Sequence, residues 1–347
     1  MASIHIAIDA MGGDCGPRAA VTAVQSFLRQ YSLHGAASGS VEFSVFAPRE
    51  AVLDIWPEAE SHCRLVHCED VVEMEDSLRT VLRSKGQHSS MAQGLQSLTG
   101  NEPCDAMVSS GSTAALVALS RMHLNRIRGV EKTPLCASLP GNTGDRLMLD
   151  LGANPECGVD DLLQFAMMGS RLHSCLNTHQ PRLALLNIGV EAGKGNALVK
   201  AADALLRENE GREFEYCGYI EANQILAADL DVIVCDGFSG NVALKATEGS
   251  AAYIRSLIEA HFASSVVRRL AGLMLRPALK KLRLAMDPRH FSGAVLLGFE
   301  SLVIKTHGDS CERSWLAAIQ GAVDCARADL VQKIVEDCRH SRQLNEM

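Results

Sequence analysis

Residues 231–249, DVIVCDGFSGNVALKATEG, read as strand, glycine-rich turn and helix in immediate succession. The β-branched run Val232–Val234 ends in Cys235 and Asp236. The turn Gly237-Phe238-Ser239-Gly240 follows, and a helical pattern begins. The first turn of such a helix leaves several backbone N–H groups without partners, at the positive end of the helix dipole. Glycines let a bound anion come close to that backbone. Asn241 and Lys245 are four apart, so they share one helix face at the same mouth. Taken alone, the stretch fits an ordinary strand-to-helix turn capped by Ser239 equally well.

The same alternation runs through most of the chain. Apolar patterns predict strands at 4–9, 41–46, 64–68, 106–109, 135–139, 147–150, 183–188, 214–219 and 232–236. Helical patterns fill the gaps, as at 112–125, 160–175 and 196–208. Repeated strand-helix units predict a mainly parallel sheet covered by helices on both faces, a three-layer α/β architecture. Two strands close in sequence within 125–160 predict a hairpin. The pattern after Gly240 predicts one long helix reaching about residue 275, with Pro277 breaking it. Residues 314–338 predict a final amphipathic helix carrying Trp315, Ile319, Val323, Leu330 and Ile334. No low-complexity linker divides the 347 residues, so a single domain is expected.

Hydrophobic residues make up 47% and charged residues 21%, the balance of a packed globular chain. No apolar run approaches the ~20 residues of a membrane span, and the start, MASIHIAIDAMGGD, reads as a strand and not as a signal peptide. The twelve cysteines form no CxxC framework and read as reduced cytosolic thiols. His62, Cys63, His67 and Cys68 cluster in sequence but alternate along one predicted strand. No metal site and no cofactor are therefore expected. A net charge of −8 argues against nucleic-acid binding. The charge is uneven, though. Between Arg268 and Arg289 seven basic residues face the single acid Asp287, a local +6 that leaves −14 for the remainder.

Four further turns resemble the first. Asp9-Ala10-Met11-Gly12-Gly13-Asp14 follows the opening strand; Ser109-Ser110-Gly111-Ser112-Thr113 opens a helix. Asp150-Leu151-Gly152-Ala153-Asn154 ends a strand, and the glycine-rich segment from Asn187 to Gly195 carries Lys194. Ligands of open parallel sheets collect at the carboxyl ends of strands, so five polar strand ends predict a shared phosphate or nucleotide-like site. The standard nucleotide motifs are absent. The segment from Gly189 to Lys194 is one residue short of a P-loop, and Leu198 stands where a GxGxxG pattern needs its last glycine. There is no GxSxG elbow. Cys15 and Cys235 lie near these turns and read as structural thiols. Near the end, GAVLLGFESLVIKTHG at 293–308 is an apolar stretch closing on Lys305, Thr306 and His307. On a strand, Lys305 and His307 would point the same way.

Taken in order, MGGDCGP (11–17), SSGSTAAL (109–116), DLGAN (150–154), NIGVEAGKGN (187–196), CDGFSGNVALKATEG (235–249) and GAVLLGFESLVIKTHG (293–308) resemble the bacterial phosphate acyltransferases of phospholipid synthesis. The resemblance spans nearly the whole chain. It implies a Rossmann-like fold akin to phosphotransacetylases and isopropylmalate dehydrogenases, assembled as a homodimer. The implied reaction passes an acyl group from acyl-[acyl-carrier protein] to inorganic phosphate. Three positions depart from the family pattern: Ser112 and Ala114 where relatives usually carry Asn and Gly, and Cys15 where His is frequent.

Such a reaction needs a phosphate cradle and donors aimed at the thioester oxygen. The implied phosphate-binding residues are Asp9, Gly12, Gly13, Asp14, Ser110, Gly111, Ser112, Thr113, Lys194, Asp236, Gly237, Ser239 and Gly240. Asn241, Lys245, His307 and Asn154 are the implied catalytic groups. The basic segment, as a protruding helical tip near 255–290, would place Leu270, Leu273, Arg276, Lys280, Lys281 and Arg283 against an anionic membrane or the acidic carrier protein. A cytoplasmic protein peripherally bound to the inner membrane face is expected, near a membrane glycerol-3-phosphate acyltransferase. The alternatives are a phosphotransacetylase using acyl-CoA and a non-catalytic membrane-peripheral scaffold.

Overall fold

The structure is a computed structural model that describes residues 3–33, 40–142, 144–191, 193–211, 213–264, 266–277, 293–308 and 311–345. Eleven strands pair into one sheet: β1 Ile4–Asp9, β2 Val41–Ala47, β3 Arg64–His67, β4 Ala106–Ser109, β5 Leu135–Leu139, β6 Arg146–Leu149, β7 Arg182–Asn187, β8 Glu215–Glu221, β9 Val232–Val234, β10 Ala294–Leu296 and β11 Leu302–Lys305. The helices are α1 Pro17–Leu33, the short α2 Arg49–Leu53 and α3 Leu78–Thr80, α4 Ser90–Gln96, α5 Thr113–His123, α6 Val159–Leu176, α7 Ala197–Glu208, α8 Gly237–Ala263, α9 Val266–Met274, α10 Glu312–Arg327 and α11 Leu330–Asn345.

Strand side chains alternate between two cores, which is why these runs are apolar throughout. Ile4, Ile6 and Ile8 of β1 pack on one face, with Val24, Phe165, Trp315 and Ile319 from α1, α6 and α10. Ala7 of β1 faces the other side, with Leu95, Leu116 and Leu119 from α4 and α5. This is the three-layer α/β fold expected. None of the described helices is long and apolar enough to cross a membrane.

The strand order is β3-β2-β1-β4-β11-β10-β5-β6-β9-β7-β8. The expected hairpin is present as the antiparallel pair β5–β6. A second, β10–β11, comes from the 293–308 stretch, and β10 also pairs antiparallel with β5. Three antiparallel steps thus separate two parallel blocks, β3-β2-β1-β4-β11 and β6-β9-β7-β8, so the blocks run in opposite directions. The carboxyl ends of β1, β4 and β11 lie on one edge of the sheet, and those of β6, β7 and β9 on the other. This corrects the expectation that all five polar strand ends converge on one edge.

Three helix boundaries also differ. Gly237 to Gly240 form the first turn of α8 and not a turn before it, because Asp236 is the N-cap. The long helix ends at Ala263. There the Ser264 hydroxyl donates to the His261 carbonyl and accepts from Arg268, and such side-chain bonds compete with helix continuation. The expected terminal helix is two helices, α10 and α11, broken at Asp329, whose φ of 50° lies in the left-handed region. Aspartate tolerates that region better than most residues do.

Helix α8, about 40 Å long, buries only Gly237 and Gly240 among its described side chains. Along it Phe238, Val242, Tyr253, Ile254 and Leu257 are exposed, and on α9 Val267, Leu273 and Met274 are too. Arg276 is exposed just beyond, and Leu270 lies on α9. Lys280, Lys281 and Arg283 fall outside the described residues.

Candidate active site

Two loops meet at the first edge. The Cβ that any larger residue would place on Gly12 falls 2.5 Å from the Gly111 nitrogen, so the loops after β1 and β4 are in backbone contact. Gly13 has φ of 81°, a conformation that favours glycine. The Ser110 hydroxyl donates to the Gly12 carbonyl at 2.5 Å, and Asp14 N–H donates to the Gly308 carbonyl at 2.8 Å. Three loops are thereby locked together, the third being the one after β11.

Asp9 anchors this edge. Its carboxyl is fully buried and accepts from the hydroxyls of Ser90 and Ser109, both at 2.7 Å. Burial raises its pKa, while these donors and the Met11 and Gly12 backbone oppose the rise. Asp9 therefore shapes the loop from within and is not presented to a ligand.

Lys305, the last residue of β11, is 8% exposed. Its ammonium donates to the carbonyls of Thr306 at 2.5 Å and Ser110 at 3.5 Å. Burial, with Lys245 nearby, pushes it down to about 8, and Asp14 and Asp9 act the other way. The sequence marked Lys305 only as a companion of His307. The missed signal was its place at the end of the apolar run LVIK, where a cation is buried by the neighbouring strands. His307 is exposed, because β11 ends at Lys305 and strand alternation ceases there.

Beside Lys305 stands the amino end of α5. Ser112 is its N-cap residue, yet its side chain makes no capping hydrogen bond. The helix opens on Thr113 and Ala114 without a side-chain cap, so its first-turn N–H groups keep their donor capacity. A buried cation and an uncapped helix end together attract an anion of phosphate size.

Helix α8 joins the two edges. At its far end the framework is tightly closed. Asp150 is buried and accepts from the N–H groups of Leu135, Ala153 and Asn154 and from the Asn154 amide. Asn154 gives its second amide hydrogen to the Thr133 carbonyl, and its oxygen accepts from Arg121 at 2.7 Å. Both amide hydrogens are engaged, which makes Asn154 a framework residue and not a free donor. Gly237 N–H donates to the Asn154 carbonyl, while Ser239 N–H and hydroxyl both donate to Asp236. The amino end of α8 is therefore less open than its sequence suggests, and Asp236 caps it in place of Ser239.

Asn241, exposed on the next turn, lies against Gly152, whose added Cβ would meet its amide at 3.3 to 3.4 Å. Further along, Lys245 pairs with Glu248 at 2.8 Å, and His307 lies 3.8 Å from the same carboxylate. The neighbouring His307 imidazole, then the hydrogen bond from Lys245, hold Glu248 below the usual carboxylate range against the opposing effect of burial. The structure thus brings Asp9, Gly12, Gly13, Asp14, Ser110, Gly111, Ser112, Thr113, Lys245, Lys305 and His307 to one edge. Asn154, Asp236, Gly237, Ser239, Gly240 and Asn241 lie at the other. Lys194 is exposed in the loop after β7, with its N–H on the Glu191 carbonyl; no described contact ties its side chain to either group.

Of the two cysteines near these turns, Cys235 is buried, its thiol pushed far up by burial, and Cys15 is exposed.

Comparison with known proteins places this arrangement. The family model described as Fatty acid synthesis protein matches residues 4–333. A phosphate acyltransferase of Cellvibrio japonicus is 38% identical over 337 residues, covering 96% of this chain and 98% of that protein. One from Dichelobacter nodosus is 39% identical over 345 residues, covering 98% and 95%. Among solved structures, a phosphotransacetylase from Streptococcus pyogenes matches with a TM-score of 0.60 at 15% identity, covering 94% of each chain. EutD phosphotransacetylase from Staphylococcus aureus matches at 0.54, also at 15% identity and 94% of each chain. At that identity these structures speak for the fold alone. The sequence relatives carry the assignment: the chain belongs to the phosphate acyltransferase family and is an acyltransferase.

Proposed function

We propose that the protein transfers a fatty acyl group from acyl-[acyl-carrier protein] to inorganic phosphate, forming an acyl phosphate for a membrane glycerol-3-phosphate acyltransferase. The observation that carries this reading is the buried Lys305 ammonium beside the uncapped amino end of α5. Among the described residues that edge supplies positive charge and backbone donors but no aligned nucleophile and base. It suits a reaction whose nucleophile is the bound anion itself.

Phosphate sits against the N–H groups of Ser112, Thr113 and Gly13, with Lys305 and Lys245 as counter-charges. One phosphate oxygen attacks the thioester carbonyl. The new C–O bond forms as the C–S bond breaks, and the phosphate proton ends on the departing thiol, whose ordinary pKa of about 8.5 makes it a ready leaving group. Donors on α8, Asn241 foremost, steady the carbonyl oxygen as charge develops. Asp14, Ser110 and Ser112 orient the cradle. Asn154, Asp236, Gly237, Ser239 and Gly240 hold the amino end of α8 in place.

The exposed apolar residues of α9 and the basic segment that follows suit an anionic membrane surface, where a long-chain acyl phosphate would be used. The row of exposed apolar residues on α8 suits a second copy of the chain, giving a homodimer. The test compares palmitoyl-[acyl-carrier protein] with palmitoyl-CoA as donor, each with and without phosphate. The reading predicts phosphate-dependent acyl phosphate formation with a clear preference for the carrier-bound thioester. A preference for the CoA thioester would replace the donor assignment, and no phosphate-dependent product from either would remove the catalytic reading.

A further inference from the structure

At the amino ends of β7 and β9, on the opposite edge of their block from Asp150 and Asp236, three potential ligands converge. His173 lies in the last turn of α6, His179 in the connection to β7, and Asp231 immediately before β9. Their ligand atoms all fall within 4.8 Å of one another. His173 Nε2 is 3.5 Å and His179 Nε2 is 3.2 Å from Asp231 Oδ1. The His179 contact falls at the long end of hydrogen-bond range and the His173 contact lies beyond it. Both also fit a second length. Metal bonds of about 2.0–2.1 Å in a tetrahedron place neighbouring ligand atoms roughly 3.3 Å apart.

The surroundings orient the group for a cation. Arg182 N–H donates to Asp231 Oδ2 at 2.8 Å, leaving Oδ1 to the two imidazoles. The Arg182 guanidinium turns instead to Asp229 at 2.6 Å, so it does not neutralise Asp231. The carboxyl end of α6, negative by its dipole, is fastened by Asn177, which donates to the His173 carbonyl through both its backbone N–H and its amide. His173 is 4% exposed, and its Nδ1 is buried without a protein partner. The His179 side chain is 61% exposed, which gives an ion a path in and leaves a fourth position to water.

We infer that His173, His179 and Asp231 form a binding site for one divalent ion of the zinc class, separate from the acyl-transfer site. Such an ion would tie the end of α6 to the starts of β7 and β9, which makes it a structural device. The test uses the full chain, stripped of metal by a chelator and titrated with Zn²⁺ and separately with Co²⁺. The expected result is one ion per chain and a raised Tm. The cobalt spectrum should show visible bands of an N/O site without the thiolate-to-metal band that the cysteines would give. His179→Ala, at an exposed position, should weaken zinc binding by at least ~10-fold, the smallest loss seen when even a supporting group of a metal site is removed. Asp231→Asn, which keeps an acceptor for Arg182, should do the same. Equal zinc affinity in the native protein and both variants, or a cobalt spectrum dominated by thiolate bonding, would overturn the assignment.

Discussion

Among the described residues Lys305 forms no ion pair, and its two hydrogen bonds go to backbone carbonyls. Replacing it by an apolar chain of similar length therefore strands no charged partner, and such replacements of buried ions are often neutral or stabilising. Lys305→Met should leave Tm unchanged or higher while raising the KM for phosphate about 10- to 100-fold, the worth of a charge-assisted contact. Thermal melts beside steady-state kinetics check both halves. The cation has a pH signature as well. Because its pKa is pushed down to about 8, the ammonium is charged at neutral pH and loses its proton as pH rises through that value. Activity at limiting phosphate should then fall on the alkaline side of about 8, and a flat profile there would separate Lys305 from phosphate binding. Lys305 was hard to read in the sequence because one lysine after three apolar residues is common. Only the pairing of β11 between β10 and β4 buries it. Asn154 shows the converse: its sequence context looks catalytic, yet Asp150 and Thr133 hold both its amide hydrogens.

Among the elements, α8 is positioned by close backbone approach. A Cβ on Gly240 would fall 2.0 Å from the Asp150 carbonyl oxygen, and backbone cannot turn aside as a side chain can. Gly240→Ala should cost about 1–3 kcal/mol of stability, as overpacking does, with a lowered midpoint in denaturant melts. It should also disturb turnover, since α8 carries Asn241 and Lys245. The glycine was visible in the sequence, but its reason was not, because the oxygen it avoids belongs to a distant strand end. Helix α9 carries the membrane argument. Val267 and Met274, seven apart and exposed, share one helix face. A charge at the neighbouring exposed Leu273 should oppose insertion. Leu273→Asp should reduce co-sedimentation with anionic vesicles several-fold while acyl transfer to phosphate in solution persists. Unchanged sedimentation would move membrane contact away from α9. The break between α8 and α9 escaped the sequence because apolar spacing continues across it; the serine hydroxyl bonds that end α8 leave no mark on periodicity.

For the whole molecule, nine of the eleven described strands were legible to within about two residues, as apolar runs bounded by polar turns, whereas β10 and β11 were hidden in the single apolar stretch 293–308. The strand directions were not legible. The two antiparallel steps at β10 cancel and leave β5 running with β11, so the reversal rests on the β5–β6 hairpin, which stands between β10 and β9. Local pattern contains nothing that places it there. The five polar strand ends could therefore be recognised in sequence, but not their division between two edges joined by α8. In the proposed reaction the two edges differ in what they supply. The β1–β4–β11 edge holds the anion, and the β6–β9 edge sets the helix that brings donors toward it. Inorganic phosphate, bound at the first edge, would then be the acyl acceptor. The direct measurement supplies radiolabelled phosphate and palmitoyl-[acyl-carrier protein], and follows labelled acyl phosphate and free carrier thiol together in the native protein and in Lys305→Met. The proposed reaction predicts equal amounts of both products, with a strongly raised phosphate requirement in the folded variant. Thiol release without label would mean hydrolysis, and an unchanged phosphate requirement in Lys305→Met would place the acceptor elsewhere.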